Sequence, residues 1–120
     1  MPIDYAIDPR QAVVFRWWRG LVTTLDIVDN AERLRNDPQF DEHFSELVDM
    51  SAFAGTSANS SSLNGIARKA DPFAPSSLHA VVAPGKAAFG IARMYQTVWE
   101  GANFAIFRSS QEARHWLGLT

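Results

Sequence analysis

The residues best suited to chemistry lie at and after the carboxyl end of a predicted buried strand at Phe44–Met50. Asp49 lies at the carboxyl end of this strand, where open α/β sheets bind their ligands, so its carboxylate could be a general base or a hydrogen-bond acceptor. Alternatively, Asp49 caps the following loop through backbone N–H groups in an Asx-type turn. We favour the loop cap, because no second titratable residue lies at a spacing typical of a catalytic site.

A serine run follows at the start of the next predicted helix. Ser60, Ser61 and Ser62 would lie there beside backbone N–H groups that attract anions, so they could bind an anionic ligand or accept a phosphate. Serine and asparagine are also preferred helix N-caps. We favour this capping role and keep the anion or phospho-acceptor site as the functional alternative.

Two neighbouring tryptophans end the second predicted strand. Alternation along the strand sends Trp17 and Trp18 to opposite faces of the sheet. One of them, with Phe89 or Met94 from a later helix, would line a groove or an interface, since aromatic residues are enriched in interface anchors. In the alternative, helices cover both faces and both rings lie in the core. The sequence leaves these two interpretations open.

The remaining candidate groups form no known catalytic or metal-binding motif. His43, His79 and His115 fall on different predicted elements and lack the spacing of a zinc site. The chain has no cysteine, no glycine-rich phosphate loop and no nucleophile elbow. We therefore predict no catalytic residue, no metal and no cofactor, and we expect His79 to be a core or edge histidine with satisfied hydrogen bonds.

Composition limits the classes of function. The chain has 120 residues, of which 47% are hydrophobic, which predicts one domain over residues 1–120. Its net charge of −2 without a basic stripe argues against nucleic-acid binding. The first ten residues, MPIDYAIDPR, have no apolar run, so we expect no signal peptide and a cytoplasmic location. Charged residues interrupt the apolar helical segments, so we expect no membrane span.

Short periodic segments predict an α/β fold. Four helices are expected; the first has a capping box at Thr23 and Asp26, and the last has one at Ser109 and Glu112. The buried stripe of the first helix is predicted as Leu25, Val28, Ala31 and Leu34, and the middle helices as about Asn59–Ala70 and Lys86–Glu100. Strands are predicted at Ile3–Ile7, Ala12–Trp18 (ended by Gly20), Phe44–Met50, Leu78–Ala83 and Phe104–Phe107.

This order of elements is β-β-α-β-α-β-α-β-α. Strands that alternate with helices need crossover connections, which predicts a mixed, mostly parallel sheet that begins with an antiparallel hairpin. In this order, several short runs resemble the SpoIIAA-like family of small bacterial proteins, which is similar to STAS and SEC14-like domains and is mostly uncharacterised. The runs are Gly20–Thr23, Asp37–Phe40, Glu46–Met50, Gly90–Tyr95 and Phe107–Leu117.

The resemblance also implies a role for the serine run. Phosphorylatable STAS domains place the sequence Asp-Ser-Ser-Gly-Leu at the start of the helix after the third strand. The similar run here is Asn59–Leu63, in which Ser60 matches the phosphate acceptor. Asn59 replaces the acidic residue and Ser62 replaces the glycine. We therefore expect Ser60 to be unmodified and to serve the loop or the helix cap.

Three functions remain open from the sequence. We favour a non-enzymatic STAS-like regulatory or binding module, whose partner is a protein or a small apolar or anionic ligand and which forms a homodimer. The alternative is a SEC14-like carrier of an apolar or lipid-type ligand, with its pocket between the sheet and the helix at Lys86–Glu100. A small enzyme that uses Asp49 with His79 or His115 is the third. An exposed apolar patch, an enclosed apolar cavity and a cleft with converging titratable groups would distinguish them.

Overall fold

A mixed five-stranded sheet organises the protein. The structure, a computed structural model, describes residues 2–57, 65, 71–98 and 103–119. The strands of this sheet lie in the spatial order β1-β2-β4-β6-β7 when all strands are numbered along the chain. They are β1 (Ile3–Asp8), β2 (Val13–Trp18), β4 (Ser45–Asp49), β6 (His79–Val82) and β7 (Phe104–Phe107).

The pairing within this sheet confirms a mixed, mostly parallel sheet that begins with an antiparallel hairpin. β1 and β2 form an antiparallel hairpin, and every later neighbour in the sheet pairs in parallel. Parallel neighbours need crossover connections, and the helices that follow β2 and β6 supply two of them on one face of the sheet. The sequence pattern was therefore a sound guide to the central sheet.

Three helices lie within the described residues. They are α1 (Thr24–Arg35), α2 (Lys86–Val98) and α3 (Ser110–Leu117). The predicted capping box is present at α1, where Thr23 and Asp26 exchange hydrogen bonds. The fourth predicted helix, about Asn59–Ala70, lies outside the described residues except for Gly65, which is helical.

A second, two-stranded sheet corrects the sequence analysis. The hairpin ends before Gly20, as predicted, but Gly20 also begins an unpredicted strand, β3 (Gly20–Val22), which pairs in parallel with β5 (Phe53–Thr56). Gly20 has a φ of +62°, which suits glycine and turns the chain sharply out of β2. Both strands are too short to show a clear hydrophobic period, which is why the pattern missed them.

The two faces of the main sheet have separate cores. On one face, α1 and α2 pack over Trp18, Val48, Val81 and Phe104. On the other face, α3 packs through Ala113 and Trp116 over Leu47, Ala80 and Val82. The first face is the one that contains the candidate site.

The buried stripe of α1 differs from the predicted one. Leu25 was expected to be buried but is 68% exposed, and Val28 is only half-buried. The buried positions are Ile27, Asn30, Ala31 and Leu34. A polar residue, Asn30, lies on the inner face of α1, so the buried face cannot be found from apolar residues alone. Asn30 is buried because its side chain hydrogen-bonds to Arg16. Within the described part of the chain, no helix has the length and apolar character needed to cross a membrane.

Candidate functional site

A buried charged cluster crosses the centre of the sheet. Arg16 of β2, Glu46 of β4 and His79 of β6 lie on three neighbouring strands, and all are at least nine-tenths buried. Arg16 Nη1–H donates to Glu46 Oε2 at 3.1 Å. His79 Nδ1 lies 2.7 Å from Glu46 Oε1, and donates its proton if the carboxylate is ionised. Both oxygens of Glu46 are therefore engaged.

Asn30 of α1 completes the support of Arg16. The Nε–H and Nη2–H groups of Arg16 donate to Asn30 Oδ1 at 3.1 Å and 2.8 Å. Asn30 Nδ2–H in turn donates to the Ile3 carbonyl at 3.4 Å. The guanidinium plane is thus fixed from the helix and from the neighbouring strand, and its position tolerates little movement.

The electrostatics of the cluster keep Glu46 charged. Burial alone would raise the pKa of the Glu46 carboxyl, but the charge of Arg16 and the hydrogen bond and charge of His79 outweigh it and lower the pKa from 4.5 to about 2. Glu46 is therefore an anion at neutral pH, with Arg16 as its counter-ion. We call the buried Arg16–Glu46 ion pair the polar floor, because apolar side chains surround it on this face of the sheet.

A cavity of about 60 Å³ opens beside this polar floor, between the sheet and helices α1 and α2. Its walls are mostly apolar, and four of the described lining residues have polar or charged side chains. The apolar lining residues are Trp18, Ile27, Ala31, Val48, Met50, Pro72, Val81, Ala92 and Phe104; the polar ones are Arg16, Glu46, Asp71 and Tyr95. An apolar pocket with a few fixed polar groups is the usual character of a small-molecule site.

Asp71 is the titratable group of the cavity that changes charge near neutral pH. Burial, together with the charge of Glu46, raises the pKa of the Asp71 carboxyl from 3.8 to about 7. Burial also raises the pKa of the Tyr95 hydroxyl, so the phenol stays protonated. Among its described lining residues, the cavity therefore has one carboxylate that is ionised at neutral pH, Glu46, and one carboxyl whose protonation changes near pH 7, Asp71.

Trp18 contributes an aromatic wall to the cavity. Its side chain lines the cavity, and the residue is 5% exposed. The ring meets Tyr95 edge-on, with 5.8 Å between ring centroids. The indole Nε1–H has no hydrogen-bond acceptor in the described part of the chain. Buried donors in proteins are normally paired, so this indole N–H is an exception among the described residues.

The residues proposed from the sequence do not all meet at this cavity. Trp18 lines it, whereas Trp17 lies on the other face of the sheet, stacked on Phe15 at 6.3 Å and beneath Arg19 at 5.7 Å. Phe89 and Met94 pack against the same core as Trp18 but are not among the described lining residues. The groove or interface suggested for these aromatic residues stays a prediction.

Asp49 lies on the opposite face of β4 from Glu46 and Val48. Its Oδ1 accepts the Ser51 backbone N–H at 2.8 Å, which is the geometry of the loop cap that we favoured. It does not line the cavity. The serine run Ser60–Ser62 lies outside the described residues. Among the residues that are described, no three His, Asp or Glu side chains cluster in a way that could hold a metal ion.

Comparison with known proteins supports the fold. No family model and no curated protein matches the chain. One similar solved structure is that of an uncharacterized protein of the DUF3478 family, with a SpoIIAA-like fold, from Shewanella loihica PV-4. The TM-score is 0.66 with 18% sequence identity, and the match covers 96% of this chain and 93% of that chain.

The chain has a SpoIIAA-like fold. This confirms the resemblance that the sequence indicated. At 18% identity the likeness establishes the fold and leaves the function to be argued from the site, since one fold supports many functions.

Sequence reasoning missed most of this site. Arg16, Asn30, Glu46 and Asp71 were not selected, although alternation already placed Arg16 on the same strand face as Trp18. An arginine between large apolar residues in a central strand is unusual unless it is paired, and that was the available signal. His79 was expected to be a satisfied core histidine, and the structure buries it fully against Glu46.

Proposed function

We propose that this protein is a non-enzymatic binding module that holds a small molecule in the cavity between the sheet and helices α1 and α2. The observation that carries the proposal is the cavity itself, whose apolar walls meet the fixed polar floor of Arg16 and Glu46. Ligand pockets in α/β proteins have this combination of apolar area and a few oriented polar groups.

The arrangement favours binding over catalysis. Both carboxylate oxygens of Glu46 are engaged by Arg16 and His79, so neither oxygen is available to take a proton from a substrate. His79 is fully buried and is not among the described lining residues. Asp71 is then the lone candidate acid or base in the described lining, without the paired nucleophile and base that hydrolysis or group transfer needs.

The carrier hypothesis placed a pocket between the sheet and the helix predicted at Lys86–Glu100. That helix is α2, and the cavity lies between it and the sheet. Its volume of about 60 Å³ is nevertheless far below the roughly 300–1,000 Å³ of pockets for drug-sized ligands. A whole lipid chain would need a much larger space. The size therefore favours a small molecule, or the end of a larger one, over a carrier of a complete lipid.

The expected protein partner and homodimer remain predictions of the sequence. Trp18 is buried and faces the cavity, so it offers no surface to a second chain. Trp17, with its ring beneath the Arg19 guanidinium, is the aromatic residue of this pair that such an interface would use. We keep the homodimer as a secondary proposal centred on Trp17.

A fragment screen on matched variants tests the proposed function. Ala92 lines the cavity and is buried, whereas Ala87 on the same helix is exposed. Ala92→Leu places an isobutyl group in the cavity, and Ala87→Leu places the same group in solvent. Saturation-transfer NMR should find fragments that bind the unmodified protein and Ala87→Leu but not Ala92→Leu. The proposal is wrong if Ala92→Leu retains its fold by circular dichroism and still binds every fragment that the unmodified protein binds.

A further inference from the structure

A cationic surface lies outside the cavity, at the edge of the sheet where the parallel strands β6 and β7 end. Arg108 directly follows β7, and α2 begins at Lys86, shortly after the end of β6. Arg93 lies further along α2, which packs over β7. Lys86, Arg93 and Arg108 are all exposed. The proposed small-molecule site uses none of these three side chains.

Phe89 of α2 brings the two arginines together. The guanidinium carbon of Arg93 lies 5.9 Å from the centroid of the Phe89 ring, and that of Arg108 lies 5.8 Å from it. The two guanidinium groups are therefore at most about 12 Å apart, which is the sum of these distances. Phe89 is half-buried and packs against the core, so its ring is a fixed support that attracts both cations.

These two guanidinium groups have no counter-charge nearby. Neither Arg93 nor Arg108 forms an ion pair with any residue that the structure describes. Arg19, which is also exposed, has its ion pair with Asp4 at 2.9 Å. Two cations that share one aromatic ring repel each other, so an anion that pairs with both of them stabilises the arrangement.

Charge also narrows the class of anion. The chain has a net charge of −2, and three neighbouring cations are too few to follow a nucleic-acid backbone. In a symmetric dimer formed through this surface, the cations of one copy would face the same cations of the other, which disfavours such a dimer. The surface therefore fits a different molecule that carries negative charge.

A protein fits this surface better than an anionic membrane does. A few cations attract a protein to a bilayer, but stable binding needs a second, apolar anchor. The large apolar side chains that are exposed in the described part of the chain are Leu21 and Leu25, which lie on β3 and α1, and Phe89 is half-buried. The surface therefore supplies no such anchor, whereas arginine and aromatic residues are enriched in protein interfaces.

We propose that Lys86, Phe89, Arg93 and Arg108 form a docking surface for an acidic segment of another protein. Two carboxylates of the segment pair with the two guanidinium groups. Acidic residues two positions apart in an extended segment are about 7 Å apart, and those four positions apart on a helix are about 6 Å apart, so one short segment can reach both groups. This docking surface is separate from the cavity and does not depend on the proposed function.

Two peptides, hexaglutamate and hexaglutamine, test this proposal when each is titrated into ¹⁵N-labelled protein. Hexaglutamate should shift the arginine Nε–H resonances of the docking surface, and hexaglutamine should not. The double variant Arg93→Gln, Arg108→Gln should bind hexaglutamate about tenfold more weakly, since each exposed ion pair contributes roughly a factor of three. The double variant Arg10→Gln, Arg35→Gln is the matched control, because both residues are exposed and the net charge changes equally. It should bind as the unmodified protein does.

Three outcomes would overturn the inference. Equal weakening in the two double variants would mean a general attraction to positive charge. No saturable binding of hexaglutamate up to about 10 mM at low salt would mean that the surface does not recognise acidic segments. Sedimentation with phosphatidylserine vesicles that requires Arg93 and Arg108, without binding of hexaglutamate, would assign the surface to a membrane. None of these outcomes affects the fragment screen on Ala92→Leu, so the proposed function is tested separately.

Discussion

Glu46→Gln should destabilise the protein strongly, although it changes only one oxygen to an NH₂ group. The substitution removes the charge that compensates Arg16 at 3.1 Å while both residues remain buried. Breaking a buried ion pair by neutralising one partner typically costs about 3–5 kcal/mol, because the other charge is left uncompensated. This is a large part of the roughly 5–15 kcal/mol by which a domain is stable.

The pKa of Glu46 gives an independent value for how much the ionised carboxylate stabilises the folded state. A pKa lowered from 4.5 to about 2 corresponds to about 3 kcal/mol of preference for the ionised form in the folded state. Because the folded-state pKa is lowered, this stabilisation decreases as the pH falls. The stabilisation is present above the unfolded pKa of 4.5 and is lost as the pH falls towards 2. Glu46→Gln should therefore lack this acid-dependent part of the unfolding free energy.

Urea denaturation followed by tryptophan fluorescence measures the effect. With a slope of about 2 kcal/mol per molar urea, a loss of about 4 kcal/mol lowers the midpoint by about 2 M. Asp4→Asn is the matched control, because its ion pair with Arg19 at 2.9 Å is about half exposed. Exposed pairs contribute at most about 1 kcal/mol. A midpoint for Glu46→Gln within experimental error of that for Asp4→Asn would refute the argument.

Three further predictions follow from the same structure. The unmodified protein should lose roughly 2–4 kcal/mol of stability as the pH rises from about 4 to about 7, because the raised pKa of the Asp71 carboxyl stabilises the folded state only while the carboxyl is protonated. Asp71→Asn should not show this loss. Urea midpoints that fall equally in both proteins over this pH range would contradict the prediction. Leu25→Ser should change the unfolding free energy by less than about 0.5 kcal/mol, since Leu25 is exposed. Leu34→Ser should lower the urea midpoint by more than about 1 M, since Leu34 is buried. Similar urea midpoints for the two variants would disprove the buried stripe of α1 that the structure shows. Sedimentation at tens of micromolar should show a dimer that Trp17→Ser dissociates, and a monomer in the unmodified protein would reject the homodimer.

The central sheet was predictable because short stretches of the sequence contain the signals for its strands and for the helices between them. Continuous apolar runs marked β4 and β6, and capping residues such as Thr23 and Ser109 marked the starts of helices. The additional strands β3 and β5 have only three and four residues, and Gly20 and Gly55 weaken their hydrophobic signal. Their pairing depends on contacts between distant segments, which no short window of sequence contains.

The site was largely unpredictable for a related physical reason. Arg16 and Glu46 are 30 positions apart, and they meet only because β2 and β4 pair in one particular register. Asn30 broke the apparent stripe of α1, and its purpose is visible only once Arg16 lies beneath it. Asp71 directly precedes Pro72, a pair typical of a helix end, whereas the fold places Asp71 with Glu46 at the cavity, where burial raises the pKa of its carboxyl.

A crystal structure with the tightest-binding fragment of the screen tests the central claim most directly. The account predicts electron density for the fragment between the sheet and α2, against Val48, Val81 and Ala92. Density for the fragment elsewhere on the protein, with none between the sheet and α2, would contradict it.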